Sequence, residues 1–393
     1  MKKTFTNGEN MEKTKITNLE ELINELDNDK LVMYLGNGVN LSDNAEKRII
    51  LFTHESKRAG APCVLLDMAK VFVELGYCTF IVSHEETDFS AEYVTAGVNY
   101  ICYDNYSEDL LWLKKVAEVF STIVVNTLLL IPLVKKLMPI ANEILWWMHE
   151  AEWVIKEWAE PIKEISGTSN LRILSASPLI QRNLLDYAGA ESELLNFYVE
   201  DVPCKAYQKR DIVNIINVGN INGNKGQDIL AKAYDMLDEA TRAKSQLFFC
   251  VCNDQVEKEL ALWVLDFVDR HENVYIMEGM PKEELYELYE QMDIIVVASH
   301  YESTSAVAVE GLMKERLCIC TENCGVCDYL KDGEDVFMFQ RGNVVGLRDA
   351  LNKAINHYDD YENIRKKGRA VYEQVYTKDV FTKRIKVIMN ITE

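Results

Sequence analysis

The sequence predicts an α/β protein of two doubly wound domains. Short apolar runs alternate with longer segments of helical spacing from Arg48 onward, the order of repeated βαβ units. Runs such as Ile294-Ile295-Val296-Val297-Ala298 are continuous rather than alternating, as parallel strands buried on both faces require. The length, 393 residues, exceeds one ordinary core and suits two.

Residues 1–46 stand outside this pattern and read as an N-terminal extension or an added edge element. Leu19, Leu22, Ile23 and Leu26 have helical spacing, with Asn18 as a cap, and Leu31 to Leu35 form a short strand closed by the turn Gly36-Asn37-Gly38. The first domain, 47–205, opens with the strand Arg48 to His54, a loop from Glu55 to Pro62, a helix from Val64 to Leu75 and a strand from Thr79 to Val82. Further strands are expected at Tyr100–Tyr103, Ile123–Asn126, Glu143–Trp147 and Arg172–Ala176. The polar stretch Pro203 to Asp211 reads as the linker.

The second domain, 206–375, has strands at Val213–Gly219, Gln246–Val251, Val274–Met277, Ile294–Ala298 and Leu317–Thr321. Helices near 226–237, 257–270 and 282–291, and another running through Glu310, separate them. Residues 376–393 form a terminal helix. In such sheets ligands bind beyond the carboxyl ends of the strands.

Composition narrows the function. A chain 48% apolar and 27% charged folds as a soluble protein, and a net charge of −21 argues against binding nucleic acid through its phosphates. No apolar stretch is long enough to span a bilayer. The basic start Met1-Lys2-Lys3 lacks an apolar signal core, so a cytoplasmic protein is expected, with its ten cysteines mostly reduced.

The most informative segment is Ser299-His300-Tyr301-Glu302-Ser303-Thr304-Ser305, which joins the run ending at Ala298 to a helix containing Glu310. Seven residues separate Glu302 from Glu310, so one sits in the strand-end loop and the other about a turn into the helix. The loop Gly219-Asn220-Ile221-Asn222-Gly223-Asn224-Lys225-Gly226 lies between another strand and helix, where free amides and Lys225 suit an anion; it lacks the Gly-Lys-Ser/Thr ending of a P-loop. A plain βα turn is the alternative. Cys318, Cys320, Cys324 and Cys327 suggest a soft-metal site, yet Cys318 and Cys320 fall in a strand, where cysteine also serves as a small apolar residue. Asp254 and Asp293 form no Asp-x-Asp pair.

In the first domain, Gly60-Ala61-Pro62 follows a strand and precedes a helix, and His149 ends a strand beside Trp146 and Trp147; a simple βα connection and a structural histidine are the alternatives to functional roles. Trp153 and Trp158 give the segment Ala151 to Trp158 an aromatic face. With the apolar and basic run Leu128 to Met138, it allows core packing, an acceptor pocket or peripheral membrane contact.

The Ser299–Glu310 run resembles the two-glutamate motif of the retaining glycosyltransferases of family four. The resemblance spans roughly 48–385 and is strongest over 215–335. It implies the GT-B fold: two Rossmann-like domains facing a central cleft, with the terminal helix returning to the first. It also implies a nucleotide-sugar donor, UDP- or GDP-linked, and sugar transfer to an acceptor hydroxyl with retention, without metal or other cofactor. The glycan or lipid-linked glycan acceptor would belong to surface-polysaccharide synthesis, at the inner face of the membrane.

By the same resemblance His149 and Glu302 are the candidate catalytic residues. Gly60, Gly219, Asn220, Lys225, Ser303, Thr304, Ser305 and Glu310 would bind the donor, with Glu310 on the ribose hydroxyls, Glu302 on the sugar and Lys225 on the diphosphate. Asn220 departs from the arginine or serine usual there and brings no charge. Thr321, Gly325 and Asp328 fit the family's downstream turn. A sugar-nucleotide epimerase and a non-catalytic sugar-nucleotide-binding partner subunit remain as alternatives.

Overall fold

A computed structural model describes residues 31–39, 47–205, 210–252 and 256–391. The helix expected around Leu19 to Leu26, with its cap Asn18, and most of the 1–46 extension lie outside the described residues, as does Asp254. The chain divides into two compact units, Met1–Phe197 and Tyr198–Glu393.

The first unit holds β1 (Leu31–Tyr34), β2 (Arg48–Phe52), β3 (Cys78–Ser83), β4 (Asn99–Tyr103), β5 (Thr122–Asn126), β6 (Glu143–Met148), β7 (Leu171–Ser175) and β8 (Glu193–Leu194). They form one sheet in the order β1-β4-β3-β2-β5-β6-β7-β8. Only β1 is antiparallel, with Leu31 opposite Tyr103. The chain winds outward from β2 to β4, then returns to start again at β5, so the topological switch lies between β2 and β5.

Ile49, Ile50, Leu51 and Phe52 are fully buried, as a central strand covered on both faces demands. The helix after β2 spans Gly60–Glu74 and begins earlier than the sequence reading placed it. Pro62 falls in its first turn, where a missing N–H costs no hydrogen bond, so proline there starts a helix rather than excluding one.

The second unit holds β9 (Val213–Val218), β10 (Ser245–Val251), β11 (Val274–Glu278), β12 (Ile294–Val297), β13 (Leu317–Thr321) and β14 (Phe337–Phe339). They form a parallel sheet in the order β11-β10-β9-β12-β13-β14, with its switch between β9 and β12. Ile215, Ile294, Val296, Leu317 and Ile319 are fully buried at its centre. Each such side chain is worth about 1.5–3 kcal/mol of burial.

Helices Gln227–Asp235, Lys258–Asp269, Lys282–Tyr289 and Ala306–Met313 follow β9 to β12 in turn. The terminal helix Lys378–Ile388 sets the Phe381 ring 5.3 Å from that of Tyr198. A buried ion network around Glu290 and Asp293 closes the end of the sheet where β12 begins: Lys314 and Arg316 bind Glu290 at 2.8 and 3.0 Å, and Arg210 binds Asp293 at 2.7 Å. It lies at the opposite strand ends from the loops described next.

Candidate functional site

In the second unit the loops leaving β9 and β12 run side by side at the switch point. Gly219 leaves β9 with φ +149°, and the carbon stem of Lys225 lies 3.5 Å from where a Cβ would stand. The Asn222 carboxamide oxygen accepts the amides of Asn224 and Lys225, at 3.1 and 3.2 Å, and folds the loop back. Gly226 then takes φ +66°, and a Cβ on it would fall 2.1 Å from the Ala298 carbonyl oxygen, so only glycine permits the approach.

Asn224 joins the two loops. Its carbonyl accepts the His300 amide at 2.7 Å, and its side-chain amide donates to the Tyr301 carbonyl at 3.0 Å.

This seam brings the Lys225 ammonium to 2.7 Å from Glu302 Oε1, which also accepts the Ser299 hydroxyl at 2.7 Å. Burial opposes the charge on Lys225, but the Glu302 carboxylate outweighs it and holds the lysine above its ordinary pKa. The Glu302 backbone is fixed in turn by the segment after β13: its amide donates to Asn323 and its carbonyl accepts from Gly325, both at 3.0 Å. Three strand-end loops thus meet at Glu302.

Ser303 is half-buried and Thr304 buried; the Thr304 carbonyl accepts the Val326 amide and the Cys324 thiol. Ser305 adopts φ +80°, costly for a non-glycine residue, and its hydroxyl caps the helix Ala306–Met313 by accepting the Ala308 amide at 3.3 Å. Glu310 lies further along that helix and is buried. Tyr286 and Tyr289 donate to it at 3.4 and 3.3 Å, Lys282 stands 3.9 Å away, and burial raises its pKa. Asn220 is half-buried; its carbonyl accepts from Gln227 at 2.9 Å.

Sequence reasoning quoted Ser299 and Asn224 without giving them work, and missed Lys282, Tyr286 and Tyr289. The two tyrosines fall in the helix expected near 282–291, where a phenol tip is silent in periodicity.

The four clustered cysteines are thiols: Cys318, Cys320 and Cys324 are buried and Cys327 half-buried. Cys318 and Cys327 turn their sulfurs to the carbonyls of Ala308 and Thr321. Among the described residues no group of three or more His, Cys, Asp or Glu side chains is placed to hold a metal ion, and the zinc reading finds no converging ligand set there.

In the first unit the predicted residues gather at the ends of β2, β5 and β6. His149 Nε2 is 3.0 Å from Asn126 Oδ1, and the Asn126 amide donates to the Ala61 carbonyl at 3.0 Å. Asn126 therefore presents its oxygen to His149, so Nε2 carries the proton and Nδ1 is the acceptor nitrogen. The imidazole meets the Trp147 ring at 4.3 Å, and burial pushes its pKa down to about 3.

The next residue, Glu150, accepts the amides of His149 and Leu128; burial outweighs those bonds and raises its pKa to about 7. Glu150 thereby holds the turn at Thr127, whose φ is +78° and whose hydroxyl is 3.2 Å from His54 Nδ1. Neither Asn126 nor Glu150 was singled out from the sequence, although both end strands or follow them directly. Gly60 is the first residue of its helix, exposed, and a Cβ there would meet nothing within 4 Å.

The burial of His149 has a measurable consequence. An unfolded histidine protonates near 6.5 and the folded one only near 3. The unfolded state therefore binds more protons between those values, and stability falls as pH drops through that window. His149→Gln is expected to lose less melting temperature between about pH 7 and 5 than the parent; an equal loss would mean that the imidazole is solvated.

Two family models match this chain. One, described as glycosyl transferases group 1, covers residues 207–371, and the other, glycosyl-transferase family 4, covers 45–176. The chain is a GT-B glycosyltransferase related to family four. It transfers a sugar from a nucleotide-sugar donor.

Solved structures share the fold of this GT-B glycosyltransferase. Anabaena HepE, in complex with UDP and glucose, superposes with a TM-score of 0.74 at 13% identity, covering 88% of this chain and 100% of that one. A Rickettsia africae glycosyltransferase gives 0.71 at 14% identity, over 88% and 99% of the two chains. The sucrose-phosphate synthase of Thermosynechococcus elongatus gives 0.69 at 14%, over 88% and 98%. No curated protein matches the GT-B glycosyltransferase in sequence.

Proposed function

We propose that the enzyme retains anomeric configuration, takes a UDP-linked hexose and passes it to a hydroxyl of a surface-glycan acceptor at the inner face of the membrane. The observation that carries the donor half is the Lys225–Glu302 pair at 2.7 Å, held where two strand-end loops cross the switch point. A nucleoside diphosphate leaving from a sugar needs its growing negative charge met. Lys225 and the amides opening the helix Gln227–Asp235 are the groups that do so, with no metal required. Glu302 accepts hydroxyls of the donor sugar, with Ser303, Thr304 and Ser305 beside it. Glu310, steadied by two phenols, accepts the ribose hydroxyls. UDP is favoured because HepE, of the same fold, was solved with UDP-glucose.

On the acceptor side His149 stays neutral, and its Nδ1 accepts a sugar hydroxyl, orienting rather than protonating it. Glu302 is given no covalent role; the proton of the attacking hydroxyl leaves to a phosphate oxygen of the donor. Among the described residues no helix is long and apolar enough to cross a membrane, so contact with one would be peripheral.

Purified protein incubated with UDP-, GDP-, ADP-, CMP- and dTDP-sugars in EDTA, with glycan acceptors, tests this reading through nucleotide release. Release from one donor that depends on an acceptor supports transfer. An altered sugar without release would indicate the epimerase, and binding without either would indicate a non-catalytic subunit. Gly60→Ala separates a backbone role from packing: its open surroundings predict an unchanged melting temperature. A drop in transfer at that unchanged stability would place Gly60 against the donor phosphate, and full activity would remove it from the site.

A further inference from the structure

Five residues beyond the end of β6 the first unit exposes an aromatic side chain. Trp146 and Trp147 are fully buried, whereas Trp153 is 51% exposed. It lies on the short helix Glu152–Glu157, against which the turn Leu184–Ala188 packs. That turn presents Tyr187, 37% exposed, and Leu185, 54% exposed.

Polar groups sit beside the rings. The Tyr187 hydroxyl donates to Glu152 Oε1 at 2.7 Å, Lys156 binds the same carboxylate, and the Lys156 ammonium stands 4.4 Å from the Tyr187 ring centre.

We propose that Trp153 and Tyr187, with Glu152 and Lys156, form an acceptor-sugar subsite on the first unit that takes a neutral pyranose of the acceptor glycan. A pyranose ring has one face of C–H bonds and a rim of hydroxyls. The C–H face stacks on an exposed indole, and the hydroxyls need an acceptor and a donor on the same helix, which Glu152 and Lys156 supply. Leu185 adds apolar area beside them.

The charge around the patch selects against the other occupant, an anionic lipid surface. Exposed Glu157 and Asp186 join Glu152 against Lys156 and the exposed Arg182, and a net negative face repels anionic headgroups. Trp153 follows His149 on the segment that leaves the same strand end. The subsite rests on the reading of the protein as a transferase with a glycan acceptor.

Calorimetric titration of the full chain tests it, with neutral trisaccharides of α-glucose, β-glucose, β-galactose and α-mannose, and with UDP in parallel. One trisaccharide is expected to bind. Trp153→Ala should weaken it tenfold or more and Trp153→Phe should restore part, while UDP affinity and melting temperature stay at parental values. Tyr187→Phe, which removes only the hydroxyl on Glu152, should weaken it less.

Equal trisaccharide binding by parent and Trp153→Ala would overturn the proposal. So would UDP binding with no response to any trisaccharide, which leaves the donor reading intact; failure of UDP itself would count against the donor reading instead. Flotation of the parent but not Trp153→Ala with phosphatidylglycerol vesicles would assign the patch to a membrane and overturn the subsite.

Discussion

Lys225→Ala is expected to leave a folded protein whose kcat for sugar transfer has fallen about 10²- to 10³-fold, the usual effect of deleting one preorganised group that meets charge in a transition state. The ammonium is already aimed, because its stem lies over Gly219 and its head is 2.7 Å from Glu302. No reorganisation is then needed when the diphosphate leaves.

The stability effect should be much smaller. The two side chains are 29% and 15% exposed, so solvent screens the pair and its loss costs about 1 kcal/mol. Part of that cost is the Glu302 carboxylate left with only the Ser299 hydroxyl on the same oxygen. Adding Glu302→Gln to Lys225→Ala should recover the melting temperature without recovering transfer, and Lys225→Arg should recover part of the rate. Initial rates of nucleotide release alongside thermal melts measure both quantities; a full rate in Lys225→Ala would remove the lysine from the reaction.

Gly226→Ala should produce the largest change in stability. Its φ of +66° already disfavours a side chain, and the new Cβ would stand 2.1 Å from the Ala298 carbonyl oxygen. Neither neighbour can move cheaply. Ala298 directly follows the fully buried β12, and Gly226 opens the helix Gln227–Asp235. A loss of about 3 kcal/mol is expected, at the upper end for single substitutions. That corresponds to about 6–12 °C in melting temperature for a unit of this size.

Activity should fall beyond what unfolding explains, because the same displacement carries Lys225 off Glu302. Gly219→Ala is the internal comparison: its φ of +149° also strains a side chain, but its Cβ would meet only the Lys225 stem at 3.5 Å, an ordinary contact, so it lacks the backbone clash of Gly226→Ala. A Gly226→Ala protein melting with the parent would contradict the close crossing of the loops.

The strands of both sheets were legible because a parallel strand covered on both faces leaves an unbroken apolar run, as in Ile49 to Phe52 and Ile294 to Val297. Strands too short to leave a run were not, among them β8 at Glu193–Leu194 and β14 at Phe337–Phe339. Lys225, Glu302 and Ser305 could be found because small, polar and charged residues interrupt the pattern where strands end.

Their partners were hidden for a physical reason. Asn126 closes an otherwise apolar strand, and its contact with His149 depends on pairing between β5 and β6, which periodicity does not encode. Tyr286 and Tyr289 looked like core residues, and they are buried; only their hydroxyls reach Glu310. Gly60 was quoted for its place in a strand-to-helix loop, and it starts a helix with open space where a Cβ would stand.

The central claim is that the loops after β9 and β12, with the helix bearing Glu310, form a nucleotide-sugar site. Calorimetric titration of UDP, GDP, ADP and dTDP into the parent, Lys225→Ala and Glu310→Ala tests it most directly, because all four carry the diphosphate assigned to Lys225 and all but the deoxyribose dTDP carry both ribose hydroxyls assigned to Glu310. The expected result is binding of one nucleotide by the parent, weakened at least tenfold in each variant at unchanged fold. Binding that survives both substitutions, or no binding of any of the four, would contradict the assignment.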